Sequence, residues 1–512
     1  MNLADFCNAA RIAYLAVLGL LCIYGLHRCF LVWTFYRVHR RPHLAAGQFT
    51  ELPKITVQLP MFNESEVAER VIEKACALDY PADRLQIQVL DDSTDATQEI
   101  ARAAVARMRA AGHDVVYRHR THRTGFKAGA LEEGLREASG EFVAIFDADF
   151  LPPPSILLDT IHHFVDPQIG MVQTRWDHLN RDASALTRAQ AILLDGHFVI
   201  EHTARNRSGR YMSFNGTAGI WRRKTIEEAG GWQHDTLTED LDLSYRAQLA
   251  GWQFVFKPQI AAPAELPPEM NAFKAQQHRW TKGGVQTCLK LLPRVFNEAP
   301  SWPIKLEAWF HLTSGLVYVL MVLLTLLLGP ALLANLLRPI DSIYYTMFEG
   351  LLFTVGFGSA TAFYFVSQRE LNRSWWSIIS TLPALLAVGT GIAFNNAIAT
   401  IEGLFGKTGE FVRTPKFGAS ANRPTVAARA ASRGLRGRKR WQAWAELIIA
   451  FYLATWLFML IGLDGWVQRV AMAIPFVLIF IAGYLYVALD TFAAAWAPNK
   501  PLPAAVPAPA VA

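Results

Sequence analysis

Two textures alternate along this chain. Between about Arg37 and Glu307, charged and apolar positions are mixed as in a soluble enzyme; on either side lie long runs without charge. The first apolar run, Ile12–Leu26 continuing to Phe35, has no small-residue cleavage site before its basic flank, so it reads as a retained helix rather than a signal peptide. Ala308–Leu337, Ser374–Ile401 and Ala471–Leu489 each reach the ~18 residues that argue for a membrane helix. Ile343–Gln368 and Leu447–Leu463 add further candidates. Within the mixed region, Ile55–Leu59, Gln86–Leu90, Val115–His119 and Phe142–Phe146 read as strands. Glu66–Ala77, Ala96–Ala110 and Lys127–Ala138 between them read as helices. Strand–helix alternation with short loops predicts a mainly parallel sheet covered on both faces, with ligands held beyond the carboxyl ends of its strands. The expected fold class is an α/β domain on a mainly parallel sheet, inserted in an α-helical transmembrane region.

Charge orients this arrangement. The net charge is +6, but the basic residues cluster beside apolar runs: Arg37, Arg40 and Arg41 after the first, and Arg433, Arg436, Arg438, Lys439 and Arg440 before a later one. That is the pattern of cytoplasmic flanks, not of a nucleic-acid surface, and no nucleic acid is expected as a partner. Residues 1–37 are then a membrane helix in the inner membrane of a cell, and 38–300 a polar domain on its cytoplasmic side. Residues 301–402 would supply an interface helix, two membrane helices and interfacial helices. Residues 403–443 carry ten Lys or Arg and one acidic residue, Glu410. A cytoplasmic place for that segment means that Ser374–Ile401 does not cross; Pro383, Gly389, Gly391 and Asn395–Asn396 would break it into a pair of helices at the inner interface. Residues 444–490 give two more membrane helices, and the Pro/Ala-rich tail 491–512 is expected to be disordered. Cys7, Cys22, Cys29, Cys76 and Cys288 show no C-x-x-C, which argues against a disulfide framework or zinc site and suits a reducing compartment.

The chemistry-bearing residues follow the strands. Pro60-Met61-Phe62-Asn63-Glu64 comes after the first, Asp91-Asp92-Ser93-Thr94-Asp95 after the second and Asp147-Ala148-Asp149 after the fourth. Each can be read as ordinary helix capping or a turn, but together they converge on one sheet edge. Asp147 and Asp149 are hard oxygen ligands suited to Mg²⁺ or Mn²⁺ carrying phosphate and water. Lys127 opens a helix in the small-residue stretch Gly125–Ala130, where a helix N-terminus and a point charge favour an anion. In Thr238-Glu239-Asp240 the threonine would cap the following helix, or a carboxylate would serve as general base. Gln276-Gln277-His278-Arg279-Trp280 lies just before the membrane. Its Arg–Trp pair would hold a diphosphate and stack on a sugar ring, or anchor the interface.

Taken in order, these landmarks (D, D-x-D, TED, Q-x-x-R-W) resemble those of the processive family 2 glycosyltransferases. The likeness is to bacterial cellulose synthase and, more closely, to the plant cellulose-synthase-like A and C groups, over about residues 50–295. Gln88–Asp95, Lys127–Leu131, Phe214–Arg222 and Gln276–Trp280 carry the closer likeness. The resemblance implies a GT-A-type fold, with Asp91 and Asp92 at the nucleotide and Lys127 and Arg279 at the diphosphate. Asp147 and Asp149 would hold the nucleotide–metal pair, Asp240 would be the base and Glu239 would orient nearby. Gln276 and Trp280, with the loop Phe214, Asn215, Gly216 and Thr217, would meet the acceptor. Phe411, Thr414 and Lys416 resemble the gating loop of cellulose synthase, with Arg413 replacing a valine of that motif.

The resemblance also implies an activity: inverting transfer of a hexose from a nucleotide-sugar, UDP-glucose or GDP-mannose, to a growing β-linked polysaccharide. The membrane helices would form its channel, membrane lipids would surround it, and accessory secretion subunits are conceivable partners. The rival expectation is a non-processive glycolipid synthase acting on a diacylglycerol or sterol lipid.

Overall fold

The computed structural model describes residues 2–41, 47–340, 342–406 and 440–496. Its catalytic domain is built on a seven-stranded sheet in the order β3-β2-β1-β4-β6-β5-β7. The four strands expected from the sequence form its parallel half: β1 (Ile55–Met61), β2 (Leu85–Asp91), β3 (Asp114–His119) and β4 (Phe142–Ile145). Every residue of β1, β2 and β4 is buried, as parallel strands covered on both faces require. Polar residues in β1 and β2 satisfy one another: Thr56 Oγ1 donates to Gln86 Oε1 at 2.9 Å and Gln58 Nε2 to Gln88 Oε1 at 3.0 Å. The helix Phe126–Glu137 crosses this polar stripe at Gly134, where a Cβ would lie 2.6 Å from Gln58 Nε2.

The other half of the sheet has no counterpart among the strands expected from the sequence. β6 (Gly219–Arg222) runs antiparallel to both β4 and β5 (Ile169–His178), and β7 (Gln253–Ala264) pairs parallel to β5. The sheet is therefore mixed but mainly parallel, and its two faces carry separate apolar cores: Val57, Leu59, Val71 and Phe146 on one side, Leu131, Trp221, Leu243 and Phe256 on the other.

Among the described residues, six helical stretches are long and apolar enough to cross a membrane: Leu3–Val38, Leu316–Leu337, Ile343–Glu370, Trp375–Leu404, Arg440–Ile461 and Ala471–Ala493. The fourth is two helices, Trp375–Gly391 and Ala393–Leu404, which meet at Ile392. A Cβ on Gly391 would strike the Gly483 carbonyl, so Trp375–Gly391 and the last helix, Ile474–Trp496, touch backbone to backbone. That last helix continues into the segment expected to be a disordered tail and gives residues 491–496 a helical structure. A 29-residue helix, Met270–Glu298, runs between the catalytic domain and the membrane helices, and Trp302–Leu312 comes after it.

Candidate active site

The first two strand ends are locked together. Asn63 adopts a left-handed conformation (φ 55°), in which its N–H donates to Ser93 Oγ at 2.7 Å and its Oδ1 accepts from the Thr94 N–H at 2.8 Å. It caps no helix: the next begins at Ala68. Asp91 is completely buried, accepting from the Ser93 N–H at 2.8 Å and the Tyr117 hydroxyl at 2.6 Å. It closes the β2–β3 edge and does not line the cleft, so its expected contact with a nucleotide is withdrawn. Asp92 does line the cleft, but its carboxylate is held bidentately by Arg120, Nε to Oδ1 at 2.7 Å and Nη2 to Oδ2 at 2.6 Å. The Arg123 guanidinium lies 3.3 Å from the Phe62 ring centre, making the two a flat-faced wall beside Asp92.

Lys127 forms the centre. Its Nζ donates to Asp147 Oδ1 at 2.5 Å and to the Gly216 carbonyl at 2.8 Å. Gly216 has φ 81°, and a Cβ there would lie 3.0 Å from Asp240 Oδ2 and 3.4 Å from Lys127 Nζ. Glycine is needed on both counts. The Asp147 N–H donates to Thr217 Oγ1 at 2.8 Å, tying the D-x-D turn to the same loop. Asp147 and Asp149 both line the cleft. Of the loop expected to meet the acceptor, Asn215 and Gly216 line the cleft, whereas Phe214 and Thr217 are buried. Phe214 packs edge-on against Trp221 and borders a second cavity beside Asn215, and Thr217 serves Asp147.

Thr238 does not cap the helix Glu239–Leu249 with its side chain; its hydroxyl instead pairs with that of Thr287 at 3.1 Å. Asp240 Oδ1 accepts from the Leu241 N–H at 2.8 Å. Burial, reinforced by the neighbouring Glu239 charge and opposed by Lys127, pushes the Asp240 carboxyl up to about 7. Burial works to lower the Lys127 ammonium, but Asp147, Glu239 and Asp240 outweigh it and hold the group above its ordinary value. Arg279 is shifted down by burial, against the pull of Glu239, Asp147, Asp240 and Asp149. The Q-x-x-R-W segment thus meets the other motifs: Gln276, Arg279 and Trp280 all line the cleft, and Trp280 lies 6.4 Å from Trp176, ring centre to ring centre.

The cleft does not end there. A second cavity shares Trp176, Asn215, Asp240, Gln276 and Trp280 with it, and a third shares Arg28, His197, Glu201 and Tyr318 with the second. The third reaches Leu18, Gly389 and Phe480 among the membrane helices. Arg120, Arg123, Trp176 and His178 are site residues that the motifs did not reveal. Arg120 alone left a signal, since it directly follows the third strand. Phe411, Thr414 and Lys416 lie outside the described residues.

No group of three or more His, Cys, Asp or Glu able to hold a metal ion occurs among the described residues. Asp147 and Asp149 offer a two-carboxylate set, which fits a Mg²⁺ or Mn²⁺ that takes its other ligands from diphosphate and water.

A mainly parallel sheet and a cleft that brings Lys127 and Arg279 together with Asp147, Asp149 and Asp240 are the features of a GT-A-like glycosyltransferase domain. Residues 53–283 match the model of glycosyltransferase-like family 2. Glucomannan 4-beta-mannosyltransferase 2 of Arabidopsis thaliana is 42% identical over 268 residues, which are 51% of this chain and 50% of the relative. Glucomannan 4-beta-mannosyltransferase 1 of Oryza sativa subsp. japonica is 42% identical over 259 residues, 50% of this chain and 49% of the relative. The chain thus matches about half the length of these curated relatives. Among solved structures, the mannosyltransferase PcManGT of Pyrobaculum calidifontis, in complex with GDP-Man and Mn²⁺, is 22% identical with a TM-score of 0.49, covering 80% of this chain and 100% of that one.

Proposed function

We propose that the protein is a membrane-embedded, inverting β-mannosyltransferase that extends a mannan or glucomannan backbone from GDP-mannose. The observation that carries this reading is the meeting of Lys127, Asp147 and Asp240 around Gly216, which sets a base beside the groups that receive a diphosphate. The names of the curated relatives favour GDP-mannose over UDP-glucose.

In the proposed reaction, Asp240 accepts the proton of the acceptor hydroxyl as its oxygen attacks the anomeric carbon. The bond from that carbon to the diphosphate oxygen breaks on the opposite face, so an α-linked donor gives a β-linked product and GDP leaves with the bonding pair. Lys127 and Arg279 stabilise the charge that develops on the diphosphate. Glu239 keeps Asp240 basic enough to take the proton. Asp147 and Asp149 would hold a divalent ion, which supplies further charge neutralisation at the leaving group. Trp176 and Trp280 offer ring faces for the acceptor sugar, and the second and third cavities give the lengthening chain a way into the membrane helices.

The test is turnover of radiolabelled GDP-mannose and UDP-glucose by the full chain in lipid nanodiscs. High-molecular-weight β-mannan from GDP-mannose is expected. Chloroform-soluble product, or turnover with UDP-glucose alone, would overturn the reading. Asp240→Asn should abolish transfer while GDP still binds, and near-normal turnover in that variant would remove Asp240 from the base role.

A further inference from the structure

The helix Met270–Glu298 has two faces of different chemistry. At about 100° per residue, Lys274, His278, Lys282 and Val285 form one stripe, and Gln276, Arg279, Trp280 and Gly283 lie on roughly the opposite side. The second stripe faces the cleft. Besides Gln276, Arg279 and Trp280, it meets the loop that delivers the base: a Cβ on Gly283 would lie 2.6 Å from Thr238 Cγ2, and Gln286 Oε1 accepts from the Leu237 N–H at 3.0 Å. The Thr287 hydroxyl adds its contact with Thr238, two residues before Asp240.

The first stripe faces the membrane helices and is ionic. Lys274 Nζ lies 2.6 Å from Glu446 Oε2, with both side chains wholly buried; Glu446 belongs to the apolar helix Arg440–Ile461. Glu402 Oε2 lies 3.3 Å from His278 Nε2 and 3.2 Å from Lys282 Nζ. Between these pairs the backbones are close: Asn395 Nδ2 donates to the Lys274 carbonyl at 3.1 Å, and a Cβ on Gly403 would lie 2.9 Å from Val285 Cβ. A charge inside an apolar helix is costly and is kept where it does work. The fully buried pair therefore fixes the helix in rotation and along its axis in a way that apolar contacts, which tolerate sliding, do not.

We propose that Lys274, His278 and Lys282, with Glu446 and Glu402, are positioning residues that hold Arg279, Trp280 and the Thr238–Asp240 turn in register over the cleft. The membrane helices thereby set the geometry of the chemical step. This rests on the reading of the cleft as the transfer site. None of the five touches the reacting atoms; they act through the helix.

The test compares Glu402→Gln, Lys274→Glu, Glu446→Lys and the charge-swapped double variant of the last two, in full-length protein in nanodiscs. GDP affinity, kcat, KM for the donor and product length are measured. Because a displacement of about 1 Å at a reacting group costs on the order of 100-fold, a kcat loss of about tenfold or more is expected in Glu402→Gln, exceeding any loss of GDP affinity through Arg279. The double variant should recover most of the activity lost in Lys274→Glu. Loss of folded protein and of GDP binding in step with kcat, or normal kcat and product length in Glu402→Gln, would overturn the proposal. So would a swapped pair no better than its parent single variants. Asp240→Asn and Trp280→Ala run alongside: normal turnover in both would instead refute the cleft reading.

Discussion

At the scale of the residue, Asp240 governs the expected response to pH. In the proposed reaction it acts in its ionised form, and its carboxyl is pushed up to about 7, so kcat/KM should rise with unit slope through the acid range and level off above that point. Glu239 raises the Asp240 value, so Glu239→Gln should move the rising limb to lower pH; Lys127 lowers it, so Lys127→Met should move the limb upward. A pH–rate profile unchanged in Glu239→Gln would sink the electrostatic account. Gly216→Ala should cost about 100-fold in kcat, or ~2.7 kcal/mol in the barrier, because the new methyl meets Asp240 in a backbone conformation that alanine resists. Single-turnover rates at saturating donor would show it. At this scale the sequence was legible where a motif opens an element at the cleft: Asp147 and Asp149 follow β4, and Lys127 and Asp240 stand in the first turns of helices. It was not legible where a role depends on which way a loop residue points. Asn215 and Gly216 face the cleft, Thr217 turns inward and Phe214 borders the second cavity, and Asp92 meets Arg120 only through the β2–β3 register.

Elements bring these residues to one place. The D-x-D turn and the Q-x-x-R-W helix approach the cleft from different sides, so their losses should differ in kind. Exhaustive EDTA treatment should stop turnover, with recovery on adding Mg²⁺ or Mn²⁺; undiminished activity would contradict the metal role of Asp147 and Asp149. Trp280→Ala should shorten the polymer more than it slows donor hydrolysis, because in the proposed reaction its ring face is a platform for the acceptor and not for the nucleotide. Unchanged polymer length and yield would leave Trp280 as an interface anchor. Elements with a uniform pattern were the readable ones: β1, β2 and β4 are apolar runs buried on both faces. β6 has only four residues, and β5 begins buried but ends half-buried, so neither shows one period along its length. Antiparallel insertion of β6 between two strands is a tertiary outcome that no local pattern announces.

For the whole molecule, the sharpest question is which side of the membrane holds residues 403–443. The apolar stretch Trp375–Leu404 has 30 residues, ~45 Å as a helix, enough for a ~30 Å hydrocarbon core. Ten basic residues against one acidic oppose crossing. We expect a cysteine placed at Ser420 to resist a membrane-impermeant maleimide in intact cells; labelling would refute the cytoplasmic placement and the gating-loop assignment with it. The first helix raises a matter of timing. Arg11 is buried in it, bonded to the Arg338 carbonyl at 2.9 Å, 327 residues further along the chain. At a synthesis rate of ~5–20 residues per second, that acceptor emerges from the ribosome roughly 15–65 s after the arginine does. Throughout that interval the insertion machinery must accommodate a cation whose partner in hand is Asn8 Oδ1, a turn earlier on the same helix, while the polar domain is being made. Arg11→Leu should therefore shorten the chain's stay at the translocon, at the expense of how firmly the first helix is finally seated.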